Sequence, residues 1–350
     1  MSDQLTEVYA SIDALVDYAL DHLDLDPRNA DWTRNQIFAL FHLDSYPGPK
    51  TTTSAASVSD AVQDIVGSRS QAPSDEKTPD PLLAAFRAAA TTAGLFDPEE
   101  GPAYADTIMG ILSANPADLD DRFLLIEHRD GGMAAMQWFY DYCVANNYVK
   151  RAQLDRNPRF DSHGLTVTIN LAKPEFKNMK KAAAGNAVSG GYPKCTICHE
   201  NEGFAGRDKR TLRTLPVTLG GESWFWQFSP YGYFDQHGIC VNTDHTPMHV
   251  DRDTFGHLLD FVDRFPGYFL GCNAALPRIG GSVLAHDHYQ AAANCCRCTR
   301  PPLGPPSRSP TIRTPWSKSS TGPVPPCVWC RKTARASSTY PTSSARHGSL

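Results

Sequence analysis

The feature that most constrains this chain is a change of hydrophobic period near residue 160. Before it, apolar residues recur at helical spacing; after it, short β-branched and aromatic runs take over. Leu5, Val8, Ile12, Leu15, Val16, Ala19, Leu20 and Leu23 mark an amphipathic helix over residues 3–24, ended by Pro27. A second helix is expected from Trp32 to Leu43, with Ile37, Leu40 and Phe41 on one face, before Pro47-Gly48-Pro49 breaks it. Further helices are expected over 81–94, 104–114 and 132–147, the last carrying Met136, Phe139, Tyr140 and Cys143. Residues 50–80, rich in Ser, Thr, Ala and Pro, read as a surface linker interrupted by a short helix around Val58 to Val66.

Beyond the change, Leu165 to Leu171 alternates and is β-branched, as a strand should be. Lys180 to Ala187 is expected to form a short helix ended by Gly190-Gly191. Trp224 to Phe228, Gly238 to Asn242, Tyr268 to Asn273 and Ser282 to Gln290 are expected as further strands. Thr254 to Phe265 is expected as an amphipathic helix with Phe255, Leu258, Leu259 and Val262 inward. Several strands with one long helix predict an α+β unit over an antiparallel sheet. The chain then divides into a mainly helical region over 1–155 with a linker near 46–80, the α+β unit over 156–290, and a tail over 291–350.

That tail has a character of its own. It holds ten Pro, ten Ser and five of the ten Cys, nine of the 33 Lys and Arg, and none of the 38 acidic residues. It shows neither helical nor strand period, and it reads either as disordered or as a frameshifted reading that begins directly after Gln290. The body before it is correspondingly acidic, which argues against broad nucleic-acid binding through phosphate neutralisation. Met1-Ser2-Asp3-Gln4 opens straight into a helical pattern without a signal-peptide pattern, and no apolar run is long enough to span a bilayer. A cytoplasmic protein without membrane partners is expected, its cysteines free or metal-bound.

Two stretches carry chemistry. In Gly280-Gly281-Ser282-Val283-Leu284-Ala285-His286-Asp287-His288-Tyr289-Gln290, an extended backbone sets His286, His288 and Gln290 on one face. A neutral imidazole is a competent nucleophile toward phosphorus, and the labile N–P bond it forms splits one displacement into two steps. Gln290 can donate an amide hydrogen beside His288, while Gly280, Gly281, Ser282 and Asn273 can bind phosphate oxygens. Cys195-Thr196-Ile197-Cys198 is a Cys-x-x-Cys pair: half of a zinc site, a redox pair or two small core residues. His245 and His286 are the natural completing ligands, with His199 and His249 as competitors. Cys295-Cys296-Arg297-Cys298 and Cys327-Val328-Trp329-Cys330 have no secondary structure to hold a site and are discounted.

Asn273, Gly280-Gly281-Ser282 and His286 to Gln290 together resemble the active-site segment of the galactose-1-phosphate uridylyltransferases, in particular their class II branch. Ile169 to Glu175, Cys195 to Gly203 and Phe228 to Tyr233 resemble that branch too. The resemblance implies a histidine-triad-like half-barrel antiparallel sheet with flanking helices. It implies a ping-pong reaction of the galactose pathway between UDP-glucose and galactose 1-phosphate, through a uridylyl-histidine, with UDP-galactose as product. His288 is then the nucleophile, and Gln290 the residue that stabilises the uridylylated state. The class I branch implies zinc at positions matching Cys195, Cys198, His245 and His286; no organic cofactor is expected. A homodimer is the expectation for an intact family member. Members continue past the Gln into a second related domain that binds the hexose phosphate, whereas the resemblance here stops at Gln290. Two alternatives stand beside this reading: a histidine-triad nucleotide hydrolase or phosphorylase, and a non-catalytic zinc-stabilised binding module. Triad hydrolases place a third histidine where Gln290 stands, and a carboxamide cannot protonate a poor leaving group; a sugar 1-phosphate needs no such help.

Overall fold

The fold of residues 2–48, 78–163, 165–171, 191–276 and 283–293 is described by a computed structural model. Five helices lie in the first half as the hydrophobic periods require: α1 (Ser2–His22), α2 (Ala30–Leu40), α3 (Asp80–Thr92), α4 (Gly101–Leu112) and, further on, a long apolar helix at Gly132–Ala145. Between the last two stands a helix that the period reading passed over, α5 (Pro116–Asp130), which makes Gly132–Ala145 α6. Its signals were local. Asn115 caps it by accepting from the Asp118 N–H, Pro116 opens it, and Leu119, Phe123 and Ile126 form its buried stripe. A single turn, α7 (Arg151–Leu154), leads out of the helical half.

The strands begin with a two-stranded ribbon, β1 (Arg159–Ser162) against β2 (Leu165–Thr168), so the expected strand to Leu171 ends three residues early. The main sheet has five antiparallel strands in the order β3 (Leu215–Leu219), β4 (Glu222–Phe228), β5 (Gly238–Asn242), β7 (His288–Ala293), β6 (Tyr268–Cys272). One helix, α8 (Arg252–Arg264), connects β5 to β6. The architecture is therefore α+β with antiparallel sheets, as expected. The linker helix around Val58 to Val66 and the helix at 180–187 lie outside the described residues.

Two-residue alternation gives the main sheet two unlike faces. Leu215, Val217 and Leu219, then Trp224, Trp226 and Phe228, then Cys240, then Tyr289 and Ala291, then Tyr268 and Leu270 form one apolar face. Phe123 and Ile126 of α5, Met136, Phe139 and Cys143 of α6, and Leu258 and Phe261 of α8 cover it. Trp226 is the centre, with its ring against Phe228, Phe261 and Tyr268. The other face carries Phe225, Gln227, Val241, His288 and Gln290; the first four are buried too, and the segment around Ile197 and His199 packs against Gln227 and Phe225.

Helix α6 joins this core to a second one. While its Phe139 and Cys143 meet the sheet, Tyr142 and Ala145 join Val8, Ile12, Leu15, Phe38, Phe86, Ile108 and Met109 among the N-terminal helices. The Tyr18 hydroxyl donates to the Ala145 carbonyl at 2.9 Å, tying α1 to the end of α6. Helix α8 differs from expectation in its rotation. Phe255 and Leu259 face solvent, while Thr254, His257, Leu258 and Phe261 are buried. Two polar residues take inward places because each finds a partner there: His257 meets the Tyr289 hydroxyl, and Thr254 completes the capping box with Asp251. Hydrophobicity alone cannot register such pairs. Among the described residues no helix is long and apolar enough to cross a membrane.

Gly238 shows how closely the core face is filled. A Cβ there would lie 2.3 Å from the Trp226 ring and 2.6 Å from the Gln227 carbonyl oxygen. A Cβ at Gly271, two strands away, would meet nothing within 4 Å. Gly238→Ala is expected to lower unfolding free energy by about 1–3 kcal/mol in urea titrations, and Gly271→Ala to change it by less than about 0.5 kcal/mol.

Candidate functional site

The second face of the sheet is built around β7. Its pairing with β5 sets His288 opposite Val241 and Gln290 opposite Ile239, while Tyr289 between them points into the core beside Cys240. Pairing with β6 sets Gly271 opposite Gln290 and Cys272 opposite Tyr289. Asn273 follows directly after β6, and its buried Nδ2 has no hydrogen-bond partner among the described residues. His288 and Gln290 share one face of the sheet. The Tyr233 hydroxyl approaches Gln290 Oε1 at 3.4 Å from the loop after β4. Gly280, Gly281 and Ser282 lie outside the described residues.

His286 is not on the strand. The expected strand from Ser282 starts only at His288, and it runs past Gln290 through Ala293, three residues into the segment read as a tail without period. Residues 283–287 instead turn, closed by the His286 N–H on the Val283 carbonyl at 3.3 Å. The turn is held against the segment after β5: Asn242 N–H donates to the Asp287 carbonyl, Asp287 N–H to the Thr246 carbonyl, and Met248 N–H to the Leu284 carbonyl. These bonds replace strand pairing around His286. They also bring the His245 and His286 rings together, with centroids 4.5 Å apart.

Against these two rings lies the Cys-x-x-Cys turn. Cys195 Sγ is 3.3 Å from Cys198 Sγ and 3.3 Å from His286 Nδ1; Cys198 Sγ is 3.2 Å from His245 Nδ1 and 3.6 Å from His286 Nδ1. All four ligand atoms lie within 4.8 Å of one another. A tetrahedral ion with bonds of about 2.0–2.3 Å to N and S needs donors roughly 3.5 Å apart, so the four residues fit a metal of that kind. The chemistry of the set agrees. His286 Nε2 sits 2.8 Å from the Asn242 carbonyl oxygen, which only a protonated Nε2 satisfies, and this leaves the Nδ1 lone pair toward the sulfurs. Burial pushes the Cys195 thiol up to about 12, so the thiolate requires a cation beside it. His199 and His249 are outside the cluster. His199 packs edge-on against Phe225, 3.5 Å from Glu202, and His249 lies between Asp251 and Asp287. The cysteine pairs at 295–298 and 327–330 lie outside the described residues.

The tautomer of His288 follows from the same argument. Its Nδ1 is 2.8 Å from the His286 carbonyl oxygen and must carry the proton, which leaves Nε2 as a free lone pair. Burial depresses the His288 pKa, and burial with the neighbouring imidazoles takes that of His286 down to about 4, so both rings are neutral near pH 7. Burial pushes the Asp287 carboxyl up to about 6, against the pull of His249. What the arrangement offers is a neutral, oriented imidazole with the Gln290 amide on the same strand face, next to a metal-competent cluster. Sequence reasoning missed Asn201, whose amide holds the Cys pair, and the Asn242 carbonyl that sets the His286 tautomer. A polar residue just after a Cys-x-x-Cys pair was a visible signal for the first; nothing local signals the second.

Comparison with known proteins gives a consistent set of relatives. The family profile described as "Galactose-1-phosphate uridyl transferase, N-terminal domain" matches residues 69–247, a range that ends before His286. A galactose-1-phosphate uridylyltransferase of Bifidobacterium longum subsp. longum is 97% identical over 290 residues, covering 83% of this chain and 56% of the relative. The enzyme of that name from Fusobacterium nucleatum is 32% identical over 292 residues, covering 81% and 54%. The one from Butyrivibrio fibrisolvens is 35% identical over 289 residues, covering 80% and 69%. The chain thus spans a little over half the length of the first two relatives. No solved structure matches it significantly.

The support behind His288 is testable without a ligand. Tyr289 stacks on Trp224 with centroids 4.7 Å apart, and its hydroxyl lies 3.0 Å from His257 Nδ1. Tyr289→Phe keeps the stack and loses the bond, for an expected cost of about 0.5–1.5 kcal/mol. Tyr289→Ala loses both, for about 3–5 kcal/mol. Urea midpoints of the two variants measure the difference.

Proposed function

As the chain belongs to the galactose-1-phosphate uridylyltransferase family, we propose that it carries the uridylyl-transfer centre of such an enzyme, with His288 as the nucleophile. The observation that carries this reading is the His288 ring itself: buried, neutral, its Nδ1–H engaged by the His286 carbonyl at 2.8 Å and its Nε2 free. In the first half-reaction Nε2 attacks the α-phosphorus of UDP-glucose. An N–P bond forms, the bond from that phosphorus to the bridging oxygen breaks, and glucose 1-phosphate leaves with the electron pair. In the second, a phosphate oxygen of galactose 1-phosphate attacks the same phosphorus, the N–P bond breaks, and UDP-galactose is released. No strong acid is needed at either step, since both leaving groups are stable at neutral pH.

Gln290 and Asn273 are proposed to donate amide hydrogens to the non-bridging oxygens, and Gly280, Gly281 and Ser282 to contribute to the same phosphate cradle. Zinc is the proposed metal for Cys195, Cys198, His245 and His286, where it supplies structural order rather than a reacting group. Its effect on the chemistry runs through this chain's own backbone: holding the His286 ring also holds the carbonyl that orients His288. We read the sheet as the half-barrel of a histidine-triad-like domain over 156–290, following a helical region over 1–155. A homodimer and a cytoplasmic location complete the reading; the described cysteines are all free, as they would be in a reducing compartment. Gln290 in place of a third histidine, together with family membership, disfavours the triad hydrolase and the purely structural zinc module.

Incubation with UDP-glucose labelled in its uridylyl group tests the assignment. An acid-labile protein label is expected, lost in His288→Ala, retained in His199→Ala, and formed about 10²-fold more slowly in Gln290→Ala. Label persisting without His288 would overturn the assignment. Metal analysis is expected to find about one zinc per chain, lost when Cys195 and Cys198 are both replaced by Ser.

A further inference from the structure

We propose that Asn201 is a positioning residue for the metal centre: its buried side-chain amide clamps the Cys195–Cys198 turn so that both sulfurs face the histidines before any metal arrives. The proposal rests on the reading that Cys195, Cys198, His245 and His286 hold a metal. Asn201 is fully buried and touches none of the sulfurs. Its Nδ2 lies 2.8 Å from the Cys195 carbonyl oxygen and 2.8 Å from the Cys198 carbonyl oxygen, so both amide hydrogens are used on the turn. Its Oδ1 has no partner among the described residues, and a flipped amide would set that oxygen against two carbonyl oxygens. The donor therefore has one possible orientation.

The turn depends on this contact because it has little else. It belongs to no strand, and of its backbone groups the Cys195 N–H goes to Cys198 Sγ at 3.2 Å. Gln227 Nε2 reaches the Ile197 carbonyl from the second face of the sheet at a long 3.5 Å. The one-turn 3-10 helix over His199–Asn201 brings Asn201 back beneath the pair, with its own N–H on the Cys198 carbonyl at 3.1 Å. Next to it, Glu202 accepts from the Thr214 N–H at 2.8 Å and from its hydroxyl, fastening the segment to the start of β3. A side chain replacing Asn201 needs two hydrogens on one atom at that short reach, which neither Ser nor Asp provides. Without the clamp the Cys195 carbonyl loses its partner in the interior, the Cys198 carbonyl keeps only the Asn201 backbone N–H, and the metal must order the turn as it binds.

The test uses the full chain, with zinc as the probe. Zinc affinity is measured by chelator competition, and iodoacetamide labelling of Cys195 and Cys198 is followed by peptide mapping in metal-free protein. Asn201→Ala and the isosteric Asn201→Asp are each expected to weaken zinc binding about 10–100-fold and to speed alkylation of both cysteines severalfold. Asn146→Ala is the control. Asn146 is equally buried and bonds the Thr211 carbonyl and the Tyr148 N–H, outside the cluster. It should lower the unfolding midpoint while zinc affinity stays at the parent value. Parent-like zinc affinity in both Asn201 variants overturns the proposal, as does an equal loss of affinity in Asn146→Ala. If the parent chain itself binds no zinc, the metal reading falls and alkylation alone decides: faster labelling in the Asn201 variants upholds the clamp, and unchanged labelling overturns it.

Discussion

The candidate site depends on the insertion of β7 between β5 and β6. A strand in that place has both edges satisfied by backbone pairing, so its side chains are held by the sheet rather than by a loop. Its period of two then does the rest. Tyr289, Ala291 and Ala293 enter the core, and the burial they provide holds His288 and Gln290 on the opposite face. Shifting the register by one residue would put the imidazole into the core against Trp224 and Trp226, and the phenol on the opposite face. The large aromatic surface on one side is what makes that alternative costly.

The metal-competent cluster is a consequence of the same insertion. Before it can pair beside β5, the chain must turn at 283–287, and that turn lies against the segment following β5. The two histidines come from these two neighbouring segments, and the two cysteines from a turn fastened on the same side of the sheet. The cluster and the proposed nucleophile then share one residue, since His286 offers its ring to one and its carbonyl oxygen to the other. Burial acts on both in the same direction. It keeps the imidazoles neutral, which is the state needed for a lone pair on Nδ1 of His286 and on Nε2 of His288.

The helical half contributes support rather than chemistry. Helix α6 is apolar nearly all round because it has a core on each side, the sheet on one and the N-terminal helices on the other. Arg264 at the end of α8 pairs with Glu127 of α5 through two bonds of 2.7 Å, closing the layer over the apolar face. Asn201 adds a smaller example of the same division of labour. It has no part in the chemistry proposed at His288, yet the turn that carries two candidate ligands is held by its amide.

The residues by themselves determined the types and the parity. The period of two over 288–290 already placed His288 and Gln290 on one face with Tyr289 opposite, the Cys-x-x-Cys spacing announced a paired thiol turn, and the helical stripes of α1 to α4 and α6 lay open in the apolar spacing. Those are short-range properties, set by backbone geometry within a few residues. Which histidines meet the cysteines is not of that kind. His199, one residue from Cys198, is excluded from the cluster, while His286, 88 positions away, is included. Only strand order and the turn at 283–287 decide between them. The inward face of α8 was settled partly the same way: Phe255 and Leu259 lost their places to Thr254, held by its own capping box with Asp251, and to His257, which a hydrogen bond to Tyr289, distant in sequence, makes the better fit for the interior.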